Sequence, residues 1–371
     1  MPLAETLQQI DRTCVRYRGR KLLYFGGCDY FRMASHPEVL HALHEGADKF
    51  GLNVAASRLT TGNHVLFGQL EEELAKFFGV ERAALLSNGY ASNLAFTQSF
   101  AEHFTHALLD ERSHGSPKDA AQFLRCSVST FGHRDAQDFR RILKSFGRSA
   151  RPLVLTDGMF SHDGSLAPLN EYLEALPKRG MLLVDDAHGA GTVGKTGRGT
   201  PEVCGVRDER LVQTISLSKA FGVYGGAVLG SGKVIETLQE RSRIFTGNTP
   251  VPLPLANATL ASIRILRRDP LLRARLRANT LRIKSALRAA NLPAVENASP
   301  IVAITPKTKP HAARLSRTLL RAGIFPPLIR YPGGPRDGYF RFAISSEHTA
   351  KQLDILADVL IASENSKTRR H

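Results

Sequence analysis

Two residues carry the most chemical information. Lys219 closes the run Leu211-Val-Gln-Thr-Ile-Ser-Leu-Ser-Lys219 and is followed by Ala-Phe-Gly-Val-Tyr-Gly-Gly, while Asp185 closes an earlier apolar run, Met181-Leu-Leu-Val-Asp185. A lysine at a strand end can form an imine with an aldehyde. A carboxylate at a neighbouring strand end can keep a pyridinium nitrogen protonated, so that the ring accepts electrons. The pairing points to a pyridoxal 5'-phosphate site, although either residue alone would read as a surface cation or a loop cap. Asp186 adjoins Asp185 and must point to the other side of a strand, so one carboxylate of the two faces the cofactor.

Further groups fit the same chemistry. Leu85-Leu-Ser-Asn-Gly89-Tyr90-Ala-Ser-Asn93 passes from a strand into a helix, so the Gly89 and Tyr90 amides can receive a phosphate at the positive helix end. Ser216 and Ser218 offer hydroxyls beside Lys219. Two other patterns lead nowhere. Ser161-His-Asp163 is no catalytic triad, because three consecutive residues do not converge in that geometry. Gly189-Ala-Gly-Thr-Val-Gly194 has the spacing of a dinucleotide fingerprint, yet Lys195-Thr-Gly-Arg-Gly-Thr-Pro201 follows where an apolar helix must open.

The elements that must position these residues are legible in outline. Pro37 opens a helix that Gly51 stops, and Leu66, Phe67, Leu70, Leu74, Phe77 and Phe78 recur at helical spacing. Apolar runs at 83–87, 107–110, 153–157, 181–185, 211–218 and 227–230 alternate with helical patterns, which predicts an α/β fold with a mainly parallel sheet covered by helices. After Pro254 come long Arg-rich helices, strands at 301–305 and 339–345, and a last helix at 350–362. The expected organisation is an N-terminal arm (1–34), a large cofactor-binding domain (35–262), a smaller C-terminal α/β domain (263–363) and a frayed polar tail (364–371).

Composition narrows the class. The 371 residues are 42% hydrophobic, enough for a sizeable core. Cys14, Cys28, Cys126 and Cys204 are scattered, with no zinc or disulfide pattern, so no metal is expected and a reducing cytoplasm is. No apolar run approaches the roughly 20 residues that cross a bilayer, and the first residues do not read as a signal peptide; no membrane association is expected. The net charge of +16 is concentrated between Arg264 and Arg288, where Arg264, Arg267, Arg268, Arg273, Arg275, Arg277, Arg282, Lys284 and Arg288 interleave with leucines. This reads as a solvated helix face, or as attraction for a polyanion such as coenzyme A or an acidic carrier protein. A nucleic-acid-binding protein is the remote alternative, disfavoured by the absence of a binding motif and by 7% aromatic content without Trp.

Taken together, Ser57-Arg-Leu-Thr-Thr-Gly-Asn63, Leu70-Glu-Glu-Glu-Leu74, Ser87-Asn-Gly-Tyr90, Asp110-Glu-Arg-Ser-His114, Thr156-Asp-Gly-Met-Phe-Ser161, Val184-Asp-Asp-Ala-His-Gly189 and Leu217-Ser-Lys-Ala-Phe-Gly222 resemble the α-oxoamine synthases, which are fold type I pyridoxal phosphate transferases. The match is close over residues 24–260 and looser beyond; Ser57–Asn63 is most similar to the biotin-pathway branch. The resemblance implies Lys219 as the imine lysine, Asp185 on the pyridine nitrogen, His188 beside the phenolic oxygen and His114 stacked over the ring. It places Gly89, Tyr90, Ser161, Ser216 and Thr249 around the cofactor, and Arg341, in Tyr339-Phe-Arg-Phe-Ala-Ile-Ser-Ser-Glu-His348, on the amino-acid carboxylate.

The implied reaction is a decarboxylating condensation of an amino acid, L-alanine first, with an acyl thioester, pimeloyl-coenzyme A or pimeloyl carrier protein. Glycine with acetyl- or succinyl-coenzyme A, or serine with a long acyl chain, is the alternative within the family. A homodimer with interfacial sites is implied. Three departures stand out. Cys28-Asp-Tyr-Phe-Arg32 replaces the family's Asn-Asp-Tyr-Leu-Gly, Phe245-Thr-Gly-Asn-Thr-Pro-Val-Pro252 replaces a Ser/Thr-rich phosphate segment, and the N-terminal arm is short.

Overall fold

A computed structural model describes residues 5–330, 335 and 337–365. It divides into two compact units. The large one comprises Met33–Ser161 and Leu166–Pro270; the small one comprises the residues up to Arg32, His162–Ser165 and the residues from Leu271 onward.

The large unit is built on a seven-stranded sheet in the order Arg82–Leu86, Gly226–Gly230, Leu211–Ser216, Met181–Asp185, Pro152–Asp157, His106–Asp110, Ser127–Phe131. Gly226–Gly230 runs antiparallel to both neighbours and the remaining pairs are parallel. Burial on both faces explains why these strands read as continuous apolar runs. Pro152–Asp157 is buried throughout: Leu153 and Leu155 join Phe96, Phe100 and Val212 on one face, and Val154 joins Phe139, Tyr172 and Leu182 on the other. Helix Pro37–Phe50 begins after His36, whose ring accepts from the Glu38 amide at 3.3 Å, and helix Val65–Phe78 buries the six apolar residues its periodicity selects. The edge strand Ser127–Phe131 was not expected from sequence. It is largely exposed, so its polar alternation carries no core signal.

The small unit has a three-stranded sheet, ordered Ile301–Ile304, Tyr339–Ala343, Leu328–Ile329, with helices Pro270–Ala289, Lys309–Arg321 and Ala350–Asn365. Its core gathers Ile283, Leu287, Val302, Leu315, Phe340, Phe342, Leu353 and Leu356, and Phe25 belongs to it. The N-terminal segment is therefore more than an arm. Cys14–Tyr17 and Arg20–Leu23 pair as antiparallel strands, and the Phe25 carbonyl accepts from the Ala343 amide at 2.6 Å. The expected break at residue 263 falls inside helix Leu253–Arg268, and the division comes after Pro270.

Two further readings need correction. Lys284 is no part of a solvated face: it is fully buried, and its amine donates to the Asn297 carbonyl and Oδ1 and to Ser299 Oγ at 3.0–3.1 Å. Burial, and then Arg288, lowers that amine to about 8. Much of the remaining basic stretch is paired, through Arg267–Glu73, Arg268–Glu38, Arg275–Glu347 and Arg282–Asp354. In the expected tail, Glu364 lies within the last helix and pairs with His311 at 2.8 Å; residues 366–371 lie outside the described residues.

Candidate active site

The parallel strands of the large unit end side by side, with Asp157 opposite Asp185 and Asp185 opposite Thr214 in register. Carboxyl ends of parallel strands are where open α/β sheets bind ligands. A cleft opens there, lined by Gly89, Tyr90, His114, Ser116, Asp157, Asp185, Ala187, His188, Ser216 and Lys219. Residues separated by 130 positions in the chain thus share one wall because each follows a strand end.

Each is held by local structure. Helix Gly89–Ser99 starts at the cleft, where Asn88 caps it by accepting from the Ala91 amide at 2.8 Å. The Gly89 and Tyr90 amides belong to the first turn, for which a helix supplies no partner of its own. A Cβ at Gly226 would lie 2.4 Å from the Gly89 nitrogen, so glycine lets this helix start rest directly on the sheet. His114 caps helix Gly115–Ala121: its Nδ1 accepts from the Ser116 amide at 3.2 Å, and its own amide donates to Asp157 Oδ1 at 3.0 Å. Lys219 sits in the turn after Leu211–Ser216, closed by bonds from the Gly222 amide to its carbonyl and from the Val223 amide to that of Leu217, both 3.0 Å. Ser216 Oγ lies 3.2 Å from Ser218 Oγ.

The two strand-end aspartates part as alternation requires. Asp185 lines the cleft, accepting from Asn93 Nδ2 at 2.7 Å and from the Ala187 amide at 3.1 Å. Asp186 turns away and accepts from the Thr200 amide, Thr200 Oγ1 and Gln213 Nε2 at 2.7–2.8 Å. Burial pushes its carboxyl up to about 7, against the lowering effect of the Thr200 and Gln213 bonds. Burial, then the charge of Asp185, also pushes Asp157 well above the ordinary carboxylate range.

Ser161 and Thr249 are not among the residues lining this cleft, and Thr249 is exposed. Thr246 Oγ1 donates within its own helical turn to Ser242, while Asn248 Nδ2 ties the 245–252 segment to Ser87 Oγ at 3.1 Å. Arg341 stands in the small unit on strand Tyr339–Ala343, with its Nη2 3.7 Å from Cys28 Sγ. The residues that reading by type overlooked are Asn93, Ser116 and Thr214. Their signal was faint: a buried asparagine inside a helix, a position that asparagine otherwise disfavours. Among the described residues, no group of His, Cys, Asp and Glu is arranged to hold a metal ion, and no helix is long and apolar enough to cross a membrane.

A seven-stranded, mostly parallel sheet with a lysine and an aspartate at adjoining strand ends defines the class, and the chain belongs to the aminotransferase class I and II family, whose model matches residues 21–360. It is 36% identical over 345 residues to an 8-amino-7-oxononanoate synthase from Thioalkalivibrio sulfidiphilus, covering 92% of this chain and 88% of that one. Among solved structures it resembles serine palmitoyltransferase from S. paucimobilis with a bound PLP-myriocin aldimine, at TM-score 0.91 and 27% identity, covering 97% of this chain and 92% of that one. It also resembles the 8-amino-7-oxononanoate synthase of Francisella tularensis, at TM-score 0.81 and 26% identity over 94% and 99% of the two chains.

Proposed function

We propose that this protein is a pyridoxal-phosphate-dependent acyltransferase that condenses L-alanine with a pimeloyl thioester, releasing carbon dioxide and the free thiol, to give 8-amino-7-oxononanoate for biotin biosynthesis. One observation carries the reading: Lys219, Asp185, His188, His114, Ser216 and the start of helix Gly89–Ser99 meet on one cleft. The donor set fits the cofactor. It offers an amine for the aldehyde, a carboxylate for the pyridine nitrogen, an imidazole for the phenolic oxygen, and helix-terminus amides with a serine hydroxyl for the phosphate.

When bound, pyridoxal phosphate supplies an electron sink that makes the α-hydrogen of an attached amino acid acidic. Lys219 Nζ takes that proton and returns one after decarboxylation. Asp185 keeps the pyridine nitrogen protonated, and His114 covers a ring face and excludes water. Ser161 and Thr249 keep the cofactor roles implied by the resemblance, and Arg341 that of carboxylate binding.

The acyl carrier is coenzyme A or a carrier protein, both polyanions suited to a chain of net charge +16. The working form is a homodimer: Leu52 and Leu59, both 73% exposed, and Val65, 65% exposed, are apolar groups suited to burial against a second copy. The cysteines among the described residues are free, in keeping with a cytoplasmic enzyme.

The test is the visible spectrum of the cofactor-loaded protein during titration with L-alanine, glycine and L-serine, followed by thioester assays. A spectral change and turnover selective for L-alanine are expected. Selectivity for glycine or serine would move the protein to another branch of the family. Lys219→Ala is expected to lose both turnover and the visible chromophore; an active, yellow variant overturns the assignment.

A further inference from the structure

Asn93 is fully buried, and its whole side chain is committed. Its Nδ2 donates to Asp185 Oδ2 at 2.7 Å and to Ser116 Oγ at 2.8 Å, and its Oδ1 accepts from Thr214 Oγ1 at 2.7 Å. Ser116 Oγ in turn donates a hydrogen bond to the Tyr90 carbonyl at 3.2 Å. Thr214 is also buried and lies opposite Asp185 in register on the neighbouring strand. An amide can face a partner with its oxygen or its nitrogen, and a buried network selects the orientation that satisfies every member. Thr214 Oγ1 has a longer alternative acceptor in the Val184 carbonyl at 3.4 Å; its short bond goes to Asn93 Oδ1, which leaves the amide nitrogen for the carboxylate of Asp185. The Ala187 amide donates to the other carboxylate oxygen, so both oxygens receive N–H donors.

We infer that Asn93, oriented with the help of Thr214, is a positioning residue that holds Asp185 as a fixed acceptor toward the pyridine nitrogen of the cofactor, and so sets how tightly the protein holds pyridoxal phosphate. The inference rests on the cofactor reading above and adds to it a residue that touches no reactant. Hydrogen bonds from N–H donors favour the charged form of a carboxylate, and outer partners of a cofactor-binding group typically change affinity by about ten- to a hundredfold. An aspartate at 93 would place a second carboxylate against Asp185. Val at 214 would keep the shape of Thr but remove the donor that fixes the amide, whereas Ser would keep that donor.

The experiment strips the full-length protein of cofactor and titrates it with pyridoxal phosphate across pH 5.5–8.5, following tyrosine fluorescence and the visible band. Asn93→Asp is expected to weaken binding by about ten- to a hundredfold, with the loss deepening toward low pH. Thr214→Val is expected to weaken it less, and Thr214→Ser to match the parent. Parental affinity and pH profile in Asn93→Asp, or in Thr214→Val should Asn93→Asp fail to fold, would sink the inference. Failure of the parent itself to bind would instead remove the cofactor reading on which it stands. Equal losses in Thr214→Val and Thr214→Ser would mark general damage to packing and likewise overturn it.

Discussion

Asp185 and Asp186 are neighbours in the chain, yet they meet opposite surroundings, and the contrast separates chemistry from architecture within one strand end. On the cleft side, Asp185 is held by Asn93 and the Ala187 amide and faces Asp157, His114 and Lys219 across open space. On the other side, Asp186 is fully buried beneath the 189–200 loop, and its contacts are structural. A Cβ at Gly189 or Gly199 would come within 2.1 or 1.9 Å of its oxygens. Identical groups acquire different work from the direction in which the pleat sends them. The glycines that share the spacing of a dinucleotide fingerprint are thereby explained in part: the loop wraps a carboxylate of the protein itself and opens no long helix, only Thr200–Val203.

Breaking one side at a time sharpens that contrast. Asp185→Asn should lower kcat/KM at least about a hundredfold, because it removes the charge opposite the pyridine nitrogen, while costing no more stability than Asp186→Asn, since two N–H donors face it and one would meet the new amide nitrogen. If activity survives, the cleft side has been assigned to the wrong carboxylate. Gly199→Ala should do the reverse. Its φ is +88° and the new Cβ would strike Asp186 Oδ2, so a stability loss of about 2–4 kcal/mol is expected by denaturant titration, with kcat of the surviving folded fraction preserved. Asp186→Asn is milder, at about 1–3 kcal/mol, since three donors face this side chain and the amide nitrogen would oppose one of them. Loss of kcat without loss of stability in either loop variant would contradict the division of roles.

What was legible in the sequence follows the same line. Lys219, Asp185, His188 and His114 follow long buried strands or their turns, where apolar runs bounded by polar turns leave a strong pattern, and their separation from Asp186 needed only the alternation rule. The partners that hold them were not legible. Asn93 and Thr214 matter through distances that only the folded sheet defines: a threonine in a strand is ordinary, and an asparagine inside a helix is a faint signal that names no partner. Ser127–Phe131 was hidden because an exposed edge strand lacks a buried face, and the Gln8–Leu23 strands because they are short and half of their side chains are polar and exposed. Lys284 misled for a plain reason: a lysine at helical spacing among arginines looks solvated, and nothing local announces Asn297 and Ser299 as its acceptors.

Lys284 also supplies the finest test of the contrast, because it is a buried charge of the other sign in the other unit. Asp186, raised to about 7, binds its proton more tightly in the folded chain than in the unfolded one, so its contribution to stability falls as pH rises from about 4 through 7. Lys284, lowered to about 8, releases its proton more readily when folded, so its contribution rises as pH climbs from about 8 toward 10.5. Unfolding free energies measured against pH should show this. The difference between the parent and Asp186→Asn is expected to change mainly below pH 7, and that between the parent and Lys284→Met mainly above pH 8. Flat differences would mean that hydrogen bonding, rather than burial, governs both groups: the three bonds accepted by Asp186 would hold it ionised, and the three donated by Lys284 would hold it charged.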